Sequence, residues 1–286
     1  MSSPRLILAL AALLAGATFT TQAQVYSPAA DDHQHPHPAP LRGPEPAAAQ
    51  PAPQVLATVS QTLYTKKSEL YAEFKPLIAG QATRFTAHLT TLGSSFKAYA
   101  AGQVTVTLQV GSQTVKAIAA APEAPGVFRF QLQPTQAGTG SLVVDIVTKE
   151  FTDQFTIPNV VVYADDDAAR QQPKNEEAGD IPFVKEKAWA LSDFATQPLA
   201  RGTIKKGHTV LPNVLVLPLT AFVNVDGFPH VFVQRTGERF QLRQVQAGPG
   251  DGQQVQITGG VQEGERVVIG GAQAILRASP PVEHTH

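Results

Sequence analysis

Apolar and polar residues alternate with a period of two through much of the chain beyond residue 60. In RFTAHLT, Phe85, Ala87 and Leu89 fall on one face and Thr86, His88 and Thr90 on the other; QVTVTLQV repeats the pattern with Val104, Val106, Leu108 and Val110. A pleated strand turns this alternation into one buried and one wet face, so His88 is expected to be an exposed strand residue. GVFRFQL, SLVVDIV and FTIPNVVVY continue the series, divided by AAPEAPG, PTQAGTG and TKEFTD, which are rich in turn formers. Six or seven short strands in about 100 residues predict an antiparallel, immunoglobulin-like β-sandwich over residues 60–163. The cysteine pair of a true antibody domain is missing, but the architecture does not require it.

A polar stretch of mixed charge, ADDDAARQQPKNEEAGD, follows at residues 164–180 and reads as a linker. IPFVKEKAWALSDFATQPL then offers a short helix around Lys185 to Leu191 and a strand, with Trp189 and Phe194 as core residues where the helix docks. VLVLPLTAFVNV, HVFVQRTGERFQLRQVQAG, QVQIT and ERVVIGG return to the period of two, with Gly227, Gly237 and Gly264 at the expected hairpin turns. AQAILRA supplies a last turn or two of helix. The expectation is an all-β fold, with a second β-rich domain and short helices over residues 181–277 and a disordered tail over 278–286.

The N-terminus has no such periodicity. One cation, Arg5, precedes a twelve-residue apolar run from Leu6 to Ala17 and small residues up to Ala23. That run is well short of the roughly 20 residues that span a bilayer, so residues 1–23 read as a secretory signal cleaved after Ala23. Residues 24–59, dominated by Pro, Ala and Gln, read as a disordered, polyproline-prone tether.

Composition narrows the chemistry. There is no cysteine, and the single methionine is Met1. An exported chain trimmed of its signal contains no sulfur, so any bound metal is a borderline or hard divalent ion and not Cu(I). Cleavage removes one cation and no acid, taking the formal charge from -1 to -2. So balanced a chain has no general attraction for nucleic acid. Gly-x-Ser-x-Gly, His-Glu-x-x-His and phosphate-loop motifs are all missing, so the chain is expected not to be an enzyme and to require no cofactor.

The candidate metal ligands lie toward the ends. DDHQHPHPAP places His33, His35 and His37 on alternate positions beside Asp32, a donor set suited to Zn²⁺, Co²⁺, Ni²⁺ or Cu²⁺. Pro36 and Pro38 oppose convergence, because residues two apart in polyproline point about 120° from each other. A tether rich in histidine by accident is the competing reading. His284 and His286 form a second short cluster, for which a free tail is the simpler explanation. His208 and His230 are isolated and are expected in turn and strand. Asp165, Asp166 and Asp167 lack calcium-loop spacing and are expected in solvated linker.

Two segments carry a resemblance. VLVLPLTAFVNVDGFPHVFVQ and GDGQQVQITGGVQEGERVVIGGA are similar to the membrane-proximal domain of periplasmic adaptor subunits, or membrane fusion proteins, of RND-type efflux pumps. Val261 stands where the family's Gly-Leu-x-x-Gly-x-x-Val-Val-x-x-Gly motif has leucine. The first half, from ELYAEFKPLIAGQATRFTAHLTTL to VVVYAD, resembles the extra domain of the heavy-metal, HlyD/CzcB-like branch, and the likeness extends over most of residues 60–277. A typical member carries a lipoyl-like domain, a long α-helical hairpin and a β-barrel between the strands at FATQPL and VLVLPL. Here only ARGTIKKGHTVLPN, fourteen residues, fills that interval, too few for two helices of about 11 residues each.

The resemblance implies a non-enzymatic periplasmic adaptor-like subunit of the cell envelope, handling divalent heavy-metal cations. Its partners would be an inner-membrane RND transporter and a full-length adaptor or further copies of itself. The family's contact with an outer-membrane channel is put in doubt by the missing hairpin. A free periplasmic metal-binding buffer or carrier, or an idle remnant of an adaptor, are the alternatives.

Overall fold

A computed structural model describes residues 55–93, 95–172 and 180–279. The first half folds as β1 (Val59–Tyr64), β2 (Ser68–Phe74), β3 (Leu77–Ile78), β4 (Thr83–Thr91), β5 (Lys97–Ala98), β6 (Gln103–Val110), β7 (Gln113–Ala119), β8 (Val127–Leu132), β9 (Gly138–Val147) and β10 (Thr152–Tyr163). One sheet runs β1-β2-β4-β5 with β8 also paired to β4, and the other runs β3-β10-β9-β6-β7. Pairing is antiparallel except for β3 on β10. The alternating positions read from the sequence make the core between the sheets: Phe85, Ala87 and Leu89 from β4 meet Val104, Val106 and Leu108 from β6. Asn159 takes up a positive φ of 57° where the β9–β10 register shifts between Ile157 and Val160, a bulge that asparagine tolerates better than most residues.

The acidic triplet begins a helix. Asp165 Oδ1 accepts from the Ala168 backbone N–H at 2.8 Å, capping α1 (Asp166–Arg170). Asp167 pairs with Arg170 one turn on.

The second half contains β11 (Ile181–Pro182), α2 (Lys185–Ala190), β12 (Ala195–Pro198), β13 (Ala200–Lys206), β14 (Thr209–Pro218), a single 3₁₀ turn (Leu219–Ala221), β15 (Val223–Val225), β16 (Phe228–Thr236), β17 (Arg239–Gln244), β18 (Gln246–Gly250), β19 (Gln254–Gly259), β20 (Arg266–Gly270) and α3 (Ala272–Ala278). One sheet is ordered β11-β17-β16-β20-β12 with β15 on β16, and the other β13-β14-β19-β18. The chain is therefore all-β with short helices, as its alternation predicts. No described helix is long and apolar enough to cross a membrane.

Three positions hold the second half's geometry. Asp226 and Gly227, at φ 54° and 83°, make the turn from β15 to β16, and Asn224 Oδ1 accepts from the Gly227 N–H. Gly270 faces the Asp193 carbonyl so closely that a Cβ would lie 2.0 Å from its oxygen. The interval where adaptors carry their long core is taken up by the β13–β14 hairpin, in register from Ala200↔Val216 to Lys206↔Thr209 with one shift at Gly202/Thr203.

Candidate functional site at the module junction

The two β modules share a buried interface, and one strand shows it best. β2 is buried at six of its seven positions, so both of its faces are covered. Leu70, Ala72 and Phe74 face the sandwich core. Glu69 and Tyr71, on the other face, lie under the second module, as do His88 and Thr90 of β4. His88 is 9% exposed, which corrects the expectation of a solvent-facing histidine. The alternation along β4 identifies the two faces correctly, but the polar one is covered by protein.

At the centre of the interface is an ion pair. The Lys185 ammonium, at the start of α2, meets Glu69 Oε1 with both side chains essentially inaccessible. Glu69 Oε2 accepts from Gln234 Nε2 at 3.3 Å, and the Lys185 Nζ lies 4.9 Å from the Phe96 ring centroid. Tyr64 faces the same carboxylate; burial first, and that negative charge second, raise its phenol well above the usual range and keep it protonated. Arg266 stacks over Tyr64 with its Cζ 3.8 Å from the ring centroid, and it donates to Thr196 O at 3.0 Å. Withdrawing an ammonium and a carboxylate from water costs several kcal/mol each, which their attraction offsets only in good geometry. The pair therefore fixes which surfaces meet more than it adds stability.

α2 is anchored at both ends. Its N-cap, Val184, provides no side-chain acceptor; Glu238 Oε1, from the β16–β17 turn, accepts from the Lys185 N–H at 2.7 Å instead. At the other end Lys97 of β5 donates to the Trp189 and Leu191 carbonyls, both at 3.0 Å, placing a cation where the helix dipole is negative. Trp189 Nε1 donates to Thr90 Oγ1 at 2.9 Å, and its ring rests on Gly126, where a Cβ would come within 2.6 Å. Gly237 meets the sandwich as closely: its N–H donates to Thr62 Oγ1 at 2.7 Å, and a Cβ there would lie 2.4 Å from Tyr71 Cγ. Around these contacts Phe96 and Val127 of the sandwich share a core with Phe183, Phe194, Phe240 and Ile275.

Beside the ion pair lies a titratable cluster. His88 Nε2 is 3.4 Å from Glu73 Oε2, and Tyr71 donates to Glu73 Oε1 at 2.9 Å. The His88 hydrogen bond, aided by that from Tyr71, holds the Glu73 carboxyl below its ordinary value against the effect of burial. Glu238 goes the other way, raised chiefly by burial. His88 Nδ1 and Gln234 Oε1 are buried without a hydrogen-bond partner.

The sequence candidates fare differently. Asp32, His33, His35, His37, His284 and His286 lie outside the described residues. His208 is exposed in the β13–β14 turn, and half-buried His230 on β16 has its Nδ1 3.0 Å from Phe228 O. Among the described residues no group of three or more His, Asp or Glu side chains is placed to hold a metal ion. Trp189 and Phe194 are core residues at the helix dock, as their surroundings in the sequence suggest. The Glu69–Lys185 pair was not foreseen; the signal available for it was SELYAEF, where Tyr71 sits between Leu70 and Ala72 and gives both faces bulk to bury.

Removing one partner of the ion pair leaves the other charged and buried. Lys185→Met is expected to lower unfolding stability by about 3–5 kcal/mol, and the double variant Glu69→Leu/Lys185→Met to regain most of it; denaturant titration of the three proteins reads both effects. The raised carboxyl of Glu238 favours the folded state below its unfolded value near 4.5, an advantage lost as pH rises through the folded value. Glu238→Gln keeps the acceptor for the Lys185 N–H. It is therefore expected to be more stable than wild type at neutral pH, with the gap closing as pH falls toward 4.5 and no gap below it, in thermal melts across pH.

Residues 215–275, from within β14 to within α3, match the family model described as the CzcB C-terminal circularly permuted SH3-like domain. No curated protein matches the chain. Among solved structures, ZneB from Cupriavidus metallidurans is matched at 11% identity with a TM-score of 0.20, over 66% of this chain and 40% of that one. The match thus spans well under half of ZneB, and a TM-score that low adds no weight to a shared fold. The resemblance to CzcB/HlyD-like adaptors is carried by residues 215–275, which are similar to the CzcB C-terminal domain.

Proposed function

We propose that the chain is an adaptor-like subunit of an RND efflux system for divalent heavy-metal cations, exported to the periplasm after cleavage behind Ala23. The observation that carries the reading is the CzcB-type domain at residues 215–275. The junction supports it, because a docking subunit transmits force or position only if its modules move together, and here a buried ion pair, a helix anchored at both ends and a shared aromatic core join them. The role is non-enzymatic. The second module docks on the periplasmic face of an inner-membrane transporter, alone, with further copies of itself or beside a full-length adaptor. The short β13–β14 hairpin leaves contact with an outer-membrane channel to another subunit.

In the same reading His33, His35 and His37, with Asp32, form a weak divalent-cation site on the tether before the sandwich. Its affinity is low because Pro36 and Pro38 oppose convergence of the three imidazoles.

In-cell crosslinking followed by affinity purification is expected to recover an RND transporter with the full chain and to lose it when residues 215–275 are deleted; recovery of no inner-membrane transporter rejects the reading. Calorimetric titration of the purified protein with Zn²⁺, Co²⁺, Ni²⁺ and Cu²⁺ is expected to show weak binding that disappears with residues 31–37. Flat traces for all four ions reject the tether site and leave the docking role standing.

A further inference from the structure

The β13–β14 hairpin combines apolar walls with uncompensated positive charge. Ile204, Lys206, Thr209, Leu211 and Pro249 line a cavity of about 260 Å³ at its side, larger than the roughly 150 Å³ apolar cavity that accepts a benzene ring. Ile204 is 1% exposed at its base, whereas Val210 at the tip is 52% exposed. Lys206 lines the cavity and is exposed, and a lysine can lay its aliphatic stem along apolar surface while its ammonium stays in water.

The charge is only partly matched among the described residues. Residues 194–225 contain Arg201, Lys205, Lys206 and His208 and no Asp or Glu. Arg201 is engaged, its Nε 2.8 Å from Glu263 Oε2 and its Nη1 2.9 Å from the Asn213 carbonyl. Lys205 and Lys206 are exposed and lack an ion-pair partner among the described residues. Asp251, two residues beyond Pro249, is committed to its own turn: its Oδ1 accepts from the Gln253 and Gln254 backbone N–H groups at 2.9 and 2.8 Å.

We infer that this end of the hairpin binds an anionic amphiphile, whose short alkyl segment enters the cavity and whose single carboxylate, sulfonate or phosphate meets Lys206 and Lys205. An uncharged apolar molecule would leave two ammonium groups unused, and a small hydrophilic anion would leave the cavity unfilled. The inference rests on the hairpin alone and not on the adaptor reading. The amphiphile's source is either a soluble molecule or the headgroup layer of an anionic bilayer, which different arms of one experiment separate.

Methyl-detected NMR titration below micellar concentrations uses octanesulfonate, with octyl glucoside and ethanesulfonate as neutral and tailless controls. Octanesulfonate is expected to shift the Ile204 and Leu211 methyl signals saturably, to bind at least tenfold tighter than either control, and to weaken about tenfold in Lys206→Gln, an exposed position whose variant is checked for an unchanged melting temperature. Sedimentation with phosphatidylglycerol and phosphatidylcholine vesicles tests the bilayer. Binding to phosphatidylglycerol alone, lost in Lys205→Gln/Lys206→Gln, supports a membrane source, and octanesulfonate binding without sedimentation supports a soluble one. Binding of neither octanesulfonate nor phosphatidylglycerol, equal affinity for octyl glucoside, or equal affinity of the Lys206→Gln protein overturns the inference.

Discussion

A carboxylate and an ammonium, drawn from positions 116 residues apart, meet where water does not reach them. Neither Glu69 nor Lys185 tolerates burial alone, since an isolated charge in a protein interior either neutralises or unfolds its surroundings. The sandwich and the following module consequently have one favourable mutual arrangement, and the rest of the junction is arranged around it. Gln234 takes the second carboxylate oxygen, Phe96 lies over the ammonium, and Tyr64 and Arg266 close the side.

The apolar contacts alone would not select so narrowly. Phenylalanine rings can slide past one another at small cost, because burial of apolar area is non-directional. Direction comes from the polar contacts and from two glycines. Thr90 receives the Trp189 indole, Thr62 receives the Gly237 amide, and Gly126 and Gly237 let an aromatic ring approach the backbone where a side chain would collide. The short helix α2 is the shared part, with Glu238 of its own module at the N-terminus and Lys97 of the sandwich at the C-terminus. A six-residue helix has little stability by itself, so its presence is a product of the junction.

Period-two patterning made the strands legible, and with them the all-β class. The core faces of β4 and β6 were readable because Phe85, Ala87 and Leu89, and Val104, Val106, Leu108 and Val110, fall on alternate positions. What stayed hidden was the fate of the polar faces. Alternation says which side of a strand is less apolar, not whether that side meets water or another polar surface, and His88, Thr90 and Glu69 were all of the second kind. The junction needs complementary groups far apart in the chain, and no local window contains both Glu69 and Lys185. Asp165 could be placed in a polar segment but not as a helix cap, because capping depends on backbone direction at the residue before α1.

The junction also has a temporal order. Ile275 of α3 and Val268 of β20 belong to the same apolar cluster as Phe96 and Val127, so the cover over the sandwich's polar face is made from residues synthesised well after the sandwich's own strands. Domains generally fold as units, earliest first, as a chain emerges. Until then the sandwich shows a mixed flank, in which Glu69, Glu73, His88 and Thr90 interrupt the apolar surface of Phe96 and Val127, and the same side chains later become its seam.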